Sequence, residues 1–300
     1  MSVSAFCVGH AAWDLSMHVD AYPAENAKAE TDLLLESGGG PAANAAWLLA
    51  RWGVRTALAA VVGQDLYGAK AVQELAEAGV DCGFVEQRTG HATPLSFIIV
   101  NRVNGSRTII NRKQPAPTMR LDSRNLAGIG PKLLLFDGHE LDAAQAALEA
   151  FPTAITLLDA GSMRAGTVAL AAKVRYLVCS ERFAAQATGQ AEVAGDWAAC
   201  LRQLRERYGN VVVVTLGTRG VAFDDGQQRG HVPALPVTTC DTTAAGDIFH
   251  GAFAFALLQG LGLRQALQLA NTAAGLSVQV PGGRWSAPKL SDVLERLPHE

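Results

Sequence analysis

The chain has 300 residues and a formal net charge of −3; 49% of its residues are hydrophobic and 18% are charged. This composition excludes an intrinsically disordered chain, which is poorer in apolar residues and richer in charge. It also gives no support to nucleic-acid binding, because proteins that bind nucleic acid are typically basic. We therefore expect a globular α/β protein with a large core.

Three further features predict the cellular setting. The first residues lack the basic region and the long apolar core of a signal peptide. The later apolar runs are interrupted well before they reach the length of a membrane span. The five cysteines are scattered without a C-x-x-C pair, a pattern that favours reduced thiols over a metal or disulfide framework. We expect a cytoplasmic protein with no nucleic-acid partner and no membrane partner.

The N-terminal part begins with a short apolar run, residues 4–8, which predicts a buried strand. Asp14 follows just beyond this strand, where open α/β sheets bind their ligands, so it is either a ligand-binding residue or a turn aspartate. Residues 15–35 contain two short alternating stretches around a polar loop. They indicate a strand pair rather than a crossover helix.

A glycine-rich segment follows, and residues 37–41 predict a loop ahead of a helix. Such a loop either receives a ligand close to its backbone or is a plain connector. Further on, Asn104-Gly105 splits two β stretches and is a strong hairpin signal. The two β pieces together predict a small sheet of about four strands. The other elements predicted in this half are helices at 42–52 and up to about 78 and strands at 56–62, 80–86, 95–103 and 107–111.

From residue 131 onward, strands and helices alternate regularly. This rhythm predicts a parallel, doubly wound sheet with right-handed crossovers. The elements predicted here are strands at 133–136, 155–158, 176–179, 211–215 and 221–223 and helices at 143–151, 165–172, 182–187, 197–208, 263–278 and 290–297.

One short stretch combines small residues with an acid: Asp241-Thr242-Thr243-Ala244-Ala245-Gly246-Asp247, ahead of an apolar helix predicted over 248–258. Small residues permit a tight turn, and the start of a helix attracts anions through its unpaired amides and partial positive charge. Asp247 is therefore either an N-cap or a carboxylate that removes a proton from a hydroxyl group.

These motifs together resemble the PfkB-type carbohydrate kinases, also called the ribokinase family, over essentially the whole chain. Residues 37–46, Ser-Gly-Gly-Gly-Pro-Ala-Ala-Asn-Ala-Ala, with Gly53, look like the first signature of the family. Residues 241–247 look like the second signature, normally D-T-x-G-A-G-D. Residues 214–217, with Gly220, are similar to the V-T-x-G-x-x-G motif on the nucleotide side.

The resemblance implies a ribokinase-like α/β fold: a doubly wound, mostly parallel central sheet flanked by helices, in a single domain over residues 1–300. A small β-sheet lid at about 15–36 and 93–113 is implied as well. The family transfers the γ-phosphoryl group of ATP, with Mg²⁺, to a sugar hydroxyl, usually a CH₂OH group. Its members often pair their lids across a dimer, so a homodimer is expected.

The resemblance also assigns roles by position. It makes Asp247 the catalytic base and places an anion hole at the amides of the turn that begins at Ala244. The residues assigned in this way are Ala244, Ala245, Gly246 and Asp247 for catalysis, Asp14, Gly39, Gly40 and Asn44 for the sugar, and Thr215, Gly217, Gly220 and Asn271 for ATP.

Two positions depart from the family pattern. Ala244 replaces a glycine, so its methyl group either crowds the phosphate or demands a non-positive φ. The N-x-x-E element falls on residues 180–183, where Ser180 replaces Asn and Phe183 replaces Glu. Glu181 then either acts on Mg²⁺ through water or serves as a negative charge at a helix start.

The branch that the sequence looks closest to includes sulfofructose kinase. Lys28 and Asn111 match anion-contacting positions there, but His139 stands where an arginine is expected. Lys28, Asn111, Arg112 and Lys113 either converge over an anionic sugar or are solvated charges at the lid edge. The predicted substrate is a ketose or an anionic sugar such as a sugar phosphate or sulfosugar. A nucleoside kinase and a non-catalytic sugar or nucleotide sensor are alternatives.

Overall fold

The computed structural model of the chain describes residues 3–115, 118–190 and 196–297. Its elements follow the predicted order. The strands are β1 (Ala5–Val8), β2 (Ala12–Val19), β3 (Leu34–Gly39), β4 (Thr56–Gly63), β5 (Asp81–Arg88), β6 (Leu95–Asn101), β7 (Arg107–Arg112), β8 (Leu133–Phe136), β9 (Ile155–Ala160), β10 (Tyr176–Ser180), β11 (Val211–Thr215), β12 (Val221–Asp224) and β13 (Arg229–Val232). The helices are α1 (Pro41–Arg51), α2 (Leu66–Glu77), α3 (Ser123–Leu126), α4 (Leu141–Ala150), α5 (Ala165–Ala171), α6 (Glu181–Thr188), α7 (Trp197–Tyr208), α8 (Ala245–Leu258), α9 (Leu263–Ser277) and α10 (Leu290–Glu295).

The larger sheet has nine strands in the order β13-β12-β11-β10-β9-β8-β1-β4-β5. The pairs from β11 to β5 are parallel, whereas β12 and β13 are added antiparallel at one edge. Helices cover both faces of such a sheet, so its strands are apolar throughout. Two clusters of buried side chains accordingly lie on its two faces, one around Phe253 and the other around Phe136. This confirms the predicted doubly wound, mostly parallel sheet.

The strand order reverses between β1 and β8, which are neighbours in the sheet but distant in sequence. In doubly wound sheets, the carboxyl ends of the strands at such a reversal form the crevice in which ligands bind. β1 leads from this point into β2, and β8 ends beside Asp137. The topology therefore predicts a site at this edge, before any side chain is considered.

The smaller sheet, which we call the lid, consists of four strands in the order β3-β2-β6-β7. It confirms the predicted strand pair, the predicted hairpin and their union in one sheet. The union is made by β2 and β6, which pair in parallel, while the two outer pairs are antiparallel. One face of the lid carries Asp14, Ser96 and Asn111, which are partners in register across β2, β6 and β7.

Three local features differ from the sequence analysis. Ser37, Gly38 and Gly39 were expected in a loop, but they complete β3, because they pair with residues 12–14 of β2. The same pairing puts Asp14 in a strand and not in a turn. The strand β13 was missed, since its sequence Arg-Gly-His-Val shows no apolar alternation.

The lid rests on the turn that precedes α8. The carbonyl oxygen of Gly105, in the β6–β7 connection, accepts hydrogen bonds from the amide of Thr242 at 3.2 Å and from its hydroxyl at 3.0 Å. Arg107 also donates to the Thr242 hydroxyl, at 2.6 Å. The lid therefore lies across the start of α8.

Close packing of α1 against α8 brings two parts of the predicted site together. A Cβ atom at Gly251 of α8 would lie 3.0 Å from Leu48 and 3.2 Å from Ala45 of α1. The absence of that atom lets the two helices approach, and it places Asn44 of α1 beside the first turn of α8. Within the residues that the structure describes, none of these helices has the length and apolarity needed to cross a membrane.

Candidate active site

The turn before α8 keeps a backbone conformation that normally belongs to glycine. Ala244 is the N-cap of α8 and has φ 61° and ψ 4°, in the left-handed region. Of the two alternatives given for this alanine, the non-positive φ is therefore excluded. A left-handed conformation costs an L-residue about 1–2 kcal/mol. Packing of the buried Ala244 methyl group offsets part of this cost.

The helix starts three residues earlier than predicted, so Asp247 lies inside the first turn of α8 and is not its N-cap. The amide of Ala245 donates to the carbonyl of Thr242 at 3.3 Å. Among the described hydrogen bonds, the amides of Gly246 and Asp247 have no acceptor, and Gly246 is exposed. Two amides at the start of α8 are thus available to an anion.

The carboxylate of Asp247 accepts a hydrogen bond from the side-chain amide of Asn44, with 2.5 Å between Oδ2 and Nδ2. Burial of the carboxyl group, together with the neighbouring negative charge of Asp159, raises the pKa of Asp247 to about 7. The hydrogen bond from Asn44 and the imidazole of His250 act in the opposite direction. Asp247 therefore exchanges its proton near neutral pH.

Asp159 and His250 lie directly behind this carboxylate. Nδ1 of His250 is 3.2 Å from the Asp159 carboxylate and 2.6 Å from the carbonyl oxygen of Gly246. Nε2 of the same ring is 3.3 Å from the carbonyl oxygen of Val178. Burial raises the pKa of Asp159, while the charge of His250 lowers it. Sequence reasoning placed Asp159 only at the end of a strand and missed this pair.

Asp241, at the other end of the motif, holds the turn in shape. Its buried carboxylate accepts hydrogen bonds from the amide of Thr243 at 2.8 Å and from the amide of Gly282 at 3.2 Å. His18 of the lid lies 3.8 Å from the same carboxylate. Asp241 therefore joins the turn to the 282–286 segment that follows α9.

The sugar-side residues predicted from the sequence meet where β3 passes into α1. A Cβ atom at Gly39 would lie 2.2 Å from the Asp14 carboxylate, and one at Gly40 would lie 2.4 Å from the carbonyl oxygen of His10. Gly40 also has φ 95°, which other residues rarely adopt. Burial raises the pKa of Asp14, against a hydrogen bond from Ser96 and the charge of Arg284.

Arg284 is a residue of this site that the sequence analysis did not identify. Its guanidinium is 1% exposed and donates to three elements at once. Nε donates to Oδ1 of Asn44 at 2.9 Å, Nη1 donates to Glu74 at 3.3 Å, and Nη2 reaches the carbonyl oxygen of Gly39 at 3.4 Å. The other oxygen of Glu74 accepts from the amide of Gly38 at 2.9 Å. A lone arginine in a Gly-Gly-Arg-Trp segment resembles a surface loop, so no sequence signal pointed to it.

The predicted nucleotide-side residues also lie together. Thr215 ends β11, and Gly217 and Gly220, with φ 59° and 91°, form the turn that leads into β12. Asn271 of α9 donates to the carbonyl oxygen of Pro233 at 2.5 Å. The same segment packs against Gly220, where a Cβ atom would meet the carbonyl oxygen of Val232 at 2.1 Å.

Glu181 begins α6 and forms an ion pair with Arg219. Ser180 caps this helix, because its hydroxyl oxygen accepts from the amide of Phe183 at 3.1 Å. No group of three or more acidic, histidine or cysteine side chains is placed to hold a metal ion within the part of the chain that the structure describes. The carboxylate of Glu181 is thus a single candidate, and it already has a cationic partner.

The residues proposed for an anionic substrate lie at three different places. Lys28 lies exposed in the β2–β3 connection and makes no described contact with another predicted site residue. Asn111 lies on the lid face that carries Asp14. His139 instead follows β8 and stacks on His10, with 4.4 Å between ring centroids.

The family model described as pfkB family carbohydrate kinase matches residues 3–290. The chain belongs to this family. The protein is therefore a carbohydrate kinase of the PfkB type, that is, a phosphotransferase, as the two signatures predicted.

Relatives of this kinase include curated sugar kinases. A ribokinase of Lactococcus lactis is 42% identical over 97 residues, which are 32% of each chain. A deoxyribokinase of Salmonella typhi is 26% identical over 292 residues and 95% of each chain. A solved ribokinase-type structure from Agrobacterium tumefaciens is 29% identical, with a TM-score of 0.84 over 99% of this chain and 98% of that one. The fold is therefore ribokinase-like, with the small sheet as its lid.

Arg284→Met tests the buried network of the kinase. The substitution leaves the Glu74 carboxylate buried without its cation, and we expect the free energy of unfolding to fall by about 3–5 kcal/mol in urea denaturation. The double variant Arg284→Met/Glu74→Gln removes the unpaired charge and should recover part of this loss. Arg202→Met, on the exposed side of α7, is the matched control. A loss below about 1 kcal/mol, the range of exposed ion pairs, would contradict the network.

Asp247→Asn tests the raised pKa through stability. Since the folded-state pKa of about 7 exceeds the ordinary value of 3.8, the folded protein holds a proton that the unfolded chain releases between these pH values. Stability of the wild type should therefore fall as the pH rises through this window. The variant lacks this titration, so its free energy of unfolding relative to wild type should rise by about 2–4 kcal/mol between pH 4 and pH 8.

The matched control is Asp292→Asn, at an exposed position of α10. It should leave the pH dependence of unfolding unchanged. Parallel stability curves for Asp247→Asn and wild type would show that Asp247 titrates in its ordinary range.

Proposed function

We propose that this chain is an ATP-dependent sugar kinase in which Asp247 is the base. The acceptor is a hydroxyl group, in the CH₂OH of a ketose or of an anionic sugar such as a sugar phosphate or sulfosugar. One observation carries the proposal: the carboxylate of Asp247, oriented by Asn44, lies in the first turn of α8, where two amides are available. The single domain 1–300, with its lid, is proposed as the working unit.

The proposed base suits its task. An alcohol is not ionised at neutral pH, so attack on a phosphoryl group is assisted by a group that accepts the proton as the new bond forms. General bases work best when their pKa lies near the working pH. Asp247 meets this condition because the removal of its carboxyl group from water and the charge of Asp159 raise its pKa. Asn44 fixes the orientation of the carboxylate through the 2.5 Å hydrogen bond.

The proposed anion hole consists of the turn from Ala244 to Asp247. The amides of Gly246 and Asp247 would stabilise the charge on the transferring phosphoryl group, with the dipole of α8 behind them. The amide of Ala245 contributes less, because it already donates to Thr242. A methyl group added at Gly246 would meet no atom within 4 Å, so this position is open to a phosphoryl group.

Substrates are proposed to enter from two sides. Asp14, Gly39, Gly40 and Asn44 would bind the sugar, with Lys28, Asn111 and His139 as further candidates. Thr215, Gly217, Gly220 and Asn271 would bind ATP. Magnesium commonly keeps several waters and is held largely by nucleotide phosphates, which fits a site with one candidate carboxylate. Glu181 would reach the ion through water, and the ion would neutralise phosphate charge.

The outer face of the lid is proposed as a homodimer interface. Four large apolar side chains on the face opposite Asp14 are uncovered: Met17 (39% exposed), Leu34 (52%), Phe97 (40%) and Ile110 (61%). Contiguous apolar patches of this kind on soluble proteins commonly mark interfaces. Dimerisation would also cover the open edges of the lid.

We place the enzyme in the cytoplasm, where ATP is supplied and its five free cysteines would stay reduced.

The central experiment measures ADP release with a panel of neutral ketoses, sugar phosphates, sulfosugars and nucleosides. We expect turnover of a sugar, and kcat/KM that rises with pH up to about 7 as Asp247 loses its proton. Asp247→Asn should lower kcat by about 10²–10⁴-fold, since it removes the base.

Three other results would each contradict part of this proposal or favour an alternative function. Turnover by Asp247→Asn at the wild-type rate would refute the base. Turnover of nucleosides alone would favour a nucleoside kinase. Ligand-induced thermal stabilisation without any turnover would favour a sensor.

The dimer is tested by Phe97→Asp together with Ile110→Asp. Two charges on the proposed interface should convert the dimer to a monomer in sedimentation velocity, because each would be buried without a partner. Leu294→Asp, at an exposed position of α10, is the control and should leave the sedimentation unchanged. A wild-type monomer at micromolar concentration would refute the interface.

A further inference from the structure

A group of cationic and imidazole side chains lies at the carboxyl ends of β1, β8 and β9. We call His10, Lys113, His139 and Arg164 the cation cluster. These three strands are followed by His10, His139 and Arg164, respectively, and Lys113 follows β7 of the lid. The cluster thus spans the crevice between the large sheet and the lid.

The histidines of the cluster are fixed by one buried carboxylate. Asp137 accepts hydrogen bonds from the amide of His10 at 2.7 Å, from the amide of Ala42 at 3.1 Å and from the amide of His139 at 3.0 Å. Nδ1 of His139 lies 3.2 Å from the same carboxylate. Burial would raise the pKa of Asp137, but the imidazoles and amide donors around it hold that pKa well below its ordinary value. The carboxylate is therefore ionised and fully occupied.

His139 connects Asp137 to Arg164. Both ring nitrogens of His139 lie within hydrogen-bonding distance of Nη1 of Arg164. A guanidinium only donates, so the imidazole is the acceptor in this contact. His139 therefore helps to orient Arg164. Arg164 is also the N-cap residue of α5, where its backbone amide donates to the Thr167 hydroxyl at 2.9 Å.

Two cations of the cluster lack a carboxylate partner. Neither Arg164 nor Lys113 takes part in an ion pair within residues 3–115, 118–190 and 196–297. Burial and the charge of Arg164 lower the pKa of Lys113. Burial, His139, Lys113 and Arg164 lower the pKa of His10 in turn. Burial is the larger cause of both shifts, and the neighbouring cations add to it.

The nearby acids offset the charges of the cluster in part, since Asp137 and Glu140 both act to raise the pKa of Lys113. Glu140 accepts from the amide of Met119 at 2.9 Å, and its pKa is raised by burial. Asp159 faces His250, and its pKa is raised as well. Asp159 is in electrostatic contact both with Asp247 and with Arg164. Its charge therefore acts both on the proposed base and on the cluster.

We propose that the cation cluster binds an anionic group of the sugar substrate, a phosphate, carboxylate or sulfonate carried on the end remote from the hydroxyl that is phosphorylated. Arg164 supplies the paired N–H donors that planar or tetrahedral anions prefer, and Lys113 closes over the anion from the lid. The anion would relieve the repulsion between the two cations. This inference rests on the proposed sugar kinase function, and it selects the anionic sugars from its substrates.

The first test uses matched pairs of sugars in the ADP-release assay: D-fructose with D-fructose 6-phosphate, and D-glucose with D-gluconate. Wild-type kcat/KM should be higher for an anionic member, and the pair that responds identifies phosphate or carboxylate as the anion. Arg164→Met should raise KM for that sugar by about 10–100-fold, since it removes a charge-assisted contact. KM for ATP and for the neutral sugar should stay within about twofold, as expected for a change outside their contacts.

Two variants serve as comparisons. Arg164→Lys retains the charge without the paired donors and should restore part of the affinity. Arg202→Met, on α7, removes the same charge elsewhere and should change nothing. An equal rise of KM for both members of a pair, or a rise of KM for ATP alone, would overturn the subsite and leave the kinase intact.

A second test does not depend on turnover. Inorganic phosphate should raise the midpoint of thermal unfolding of wild type and of Arg202→Met, and less so for Arg164→Met and Lys113→Met. Equal stabilisation of all four proteins would overturn the subsite. If no sugar turns over but this difference is seen, the cluster binds anions and the proposed sugar kinase function is wrong.

Discussion

The hydrogen bond between Arg284 and Asn44 is the interaction on which the geometry of the site depends. A side-chain amide can present either its oxygen or its nitrogen to a neighbour. Because Nε of Arg284 donates to Oδ1 of Asn44 at 2.9 Å, Nδ2 must face Asp247, which it meets at 2.5 Å. A buried guanidinium is costly unless its donors are satisfied. Glu74 and the carbonyl of Gly39 satisfy them, so one cation holds the glycine-rich strand and the proposed base in a single arrangement.

This network extends to the turn before α8 through the segment that carries Arg284. Gly282 lies at the start of this segment and donates its amide to Asp241. Asp241 in turn receives the amide of Thr243 and lies beside His18 of the lid. The lid hairpin docks on the adjacent Thr242. A displacement of the lid would therefore be felt at the amides of the proposed anion hole, which is a physical route from sugar binding to phosphoryl transfer.

Most of the fold was predictable, because apolar runs and their spacing decide it. The alternation after residue 131 identified the doubly wound sheet, and Asn104-Gly105 identified the hairpin of the lid. The end of β3 was not predictable from its composition. Ser37, Gly38 and Gly39 resemble a loop. The absence of a Cβ atom at Gly38 makes room for Arg284, and its absence at Gly39 makes room for Asp14. The start of α8 was placed too late for a similar reason, since Ala244 adopts a left-handed conformation that sequence rules reserve for glycine.

The signature residues of the site could be predicted from the sequence, whereas the residues that support them through contacts could not. Asp14, Asn44 and Asp247 could be named because they lie in signatures that resemble those of a family. Arg284, Asp159 and Arg164 could not, since each stands in a segment with no pattern of its own. Their importance comes from burial and from partners that are distant in sequence. Arg284 and Asn44, for example, are 240 positions apart.

The charges of the site suggest how substrate binding and base strength are linked. Asp14, Asp159 and Asp247 are acids whose pKa burial raises. A sugar hydroxyl that donates to Asp247 favours the ionised carboxylate and lowers its pKa. An anion held at Arg164 acts in the opposite direction, because its negative charge disfavours ionisation of Asp159 and of Asp247 beyond it. These two effects therefore shift the pKa of Asp247 in opposite directions. The distance between the hydroxyl end and the anionic end of the substrate would therefore tune the base as well as select the substrate.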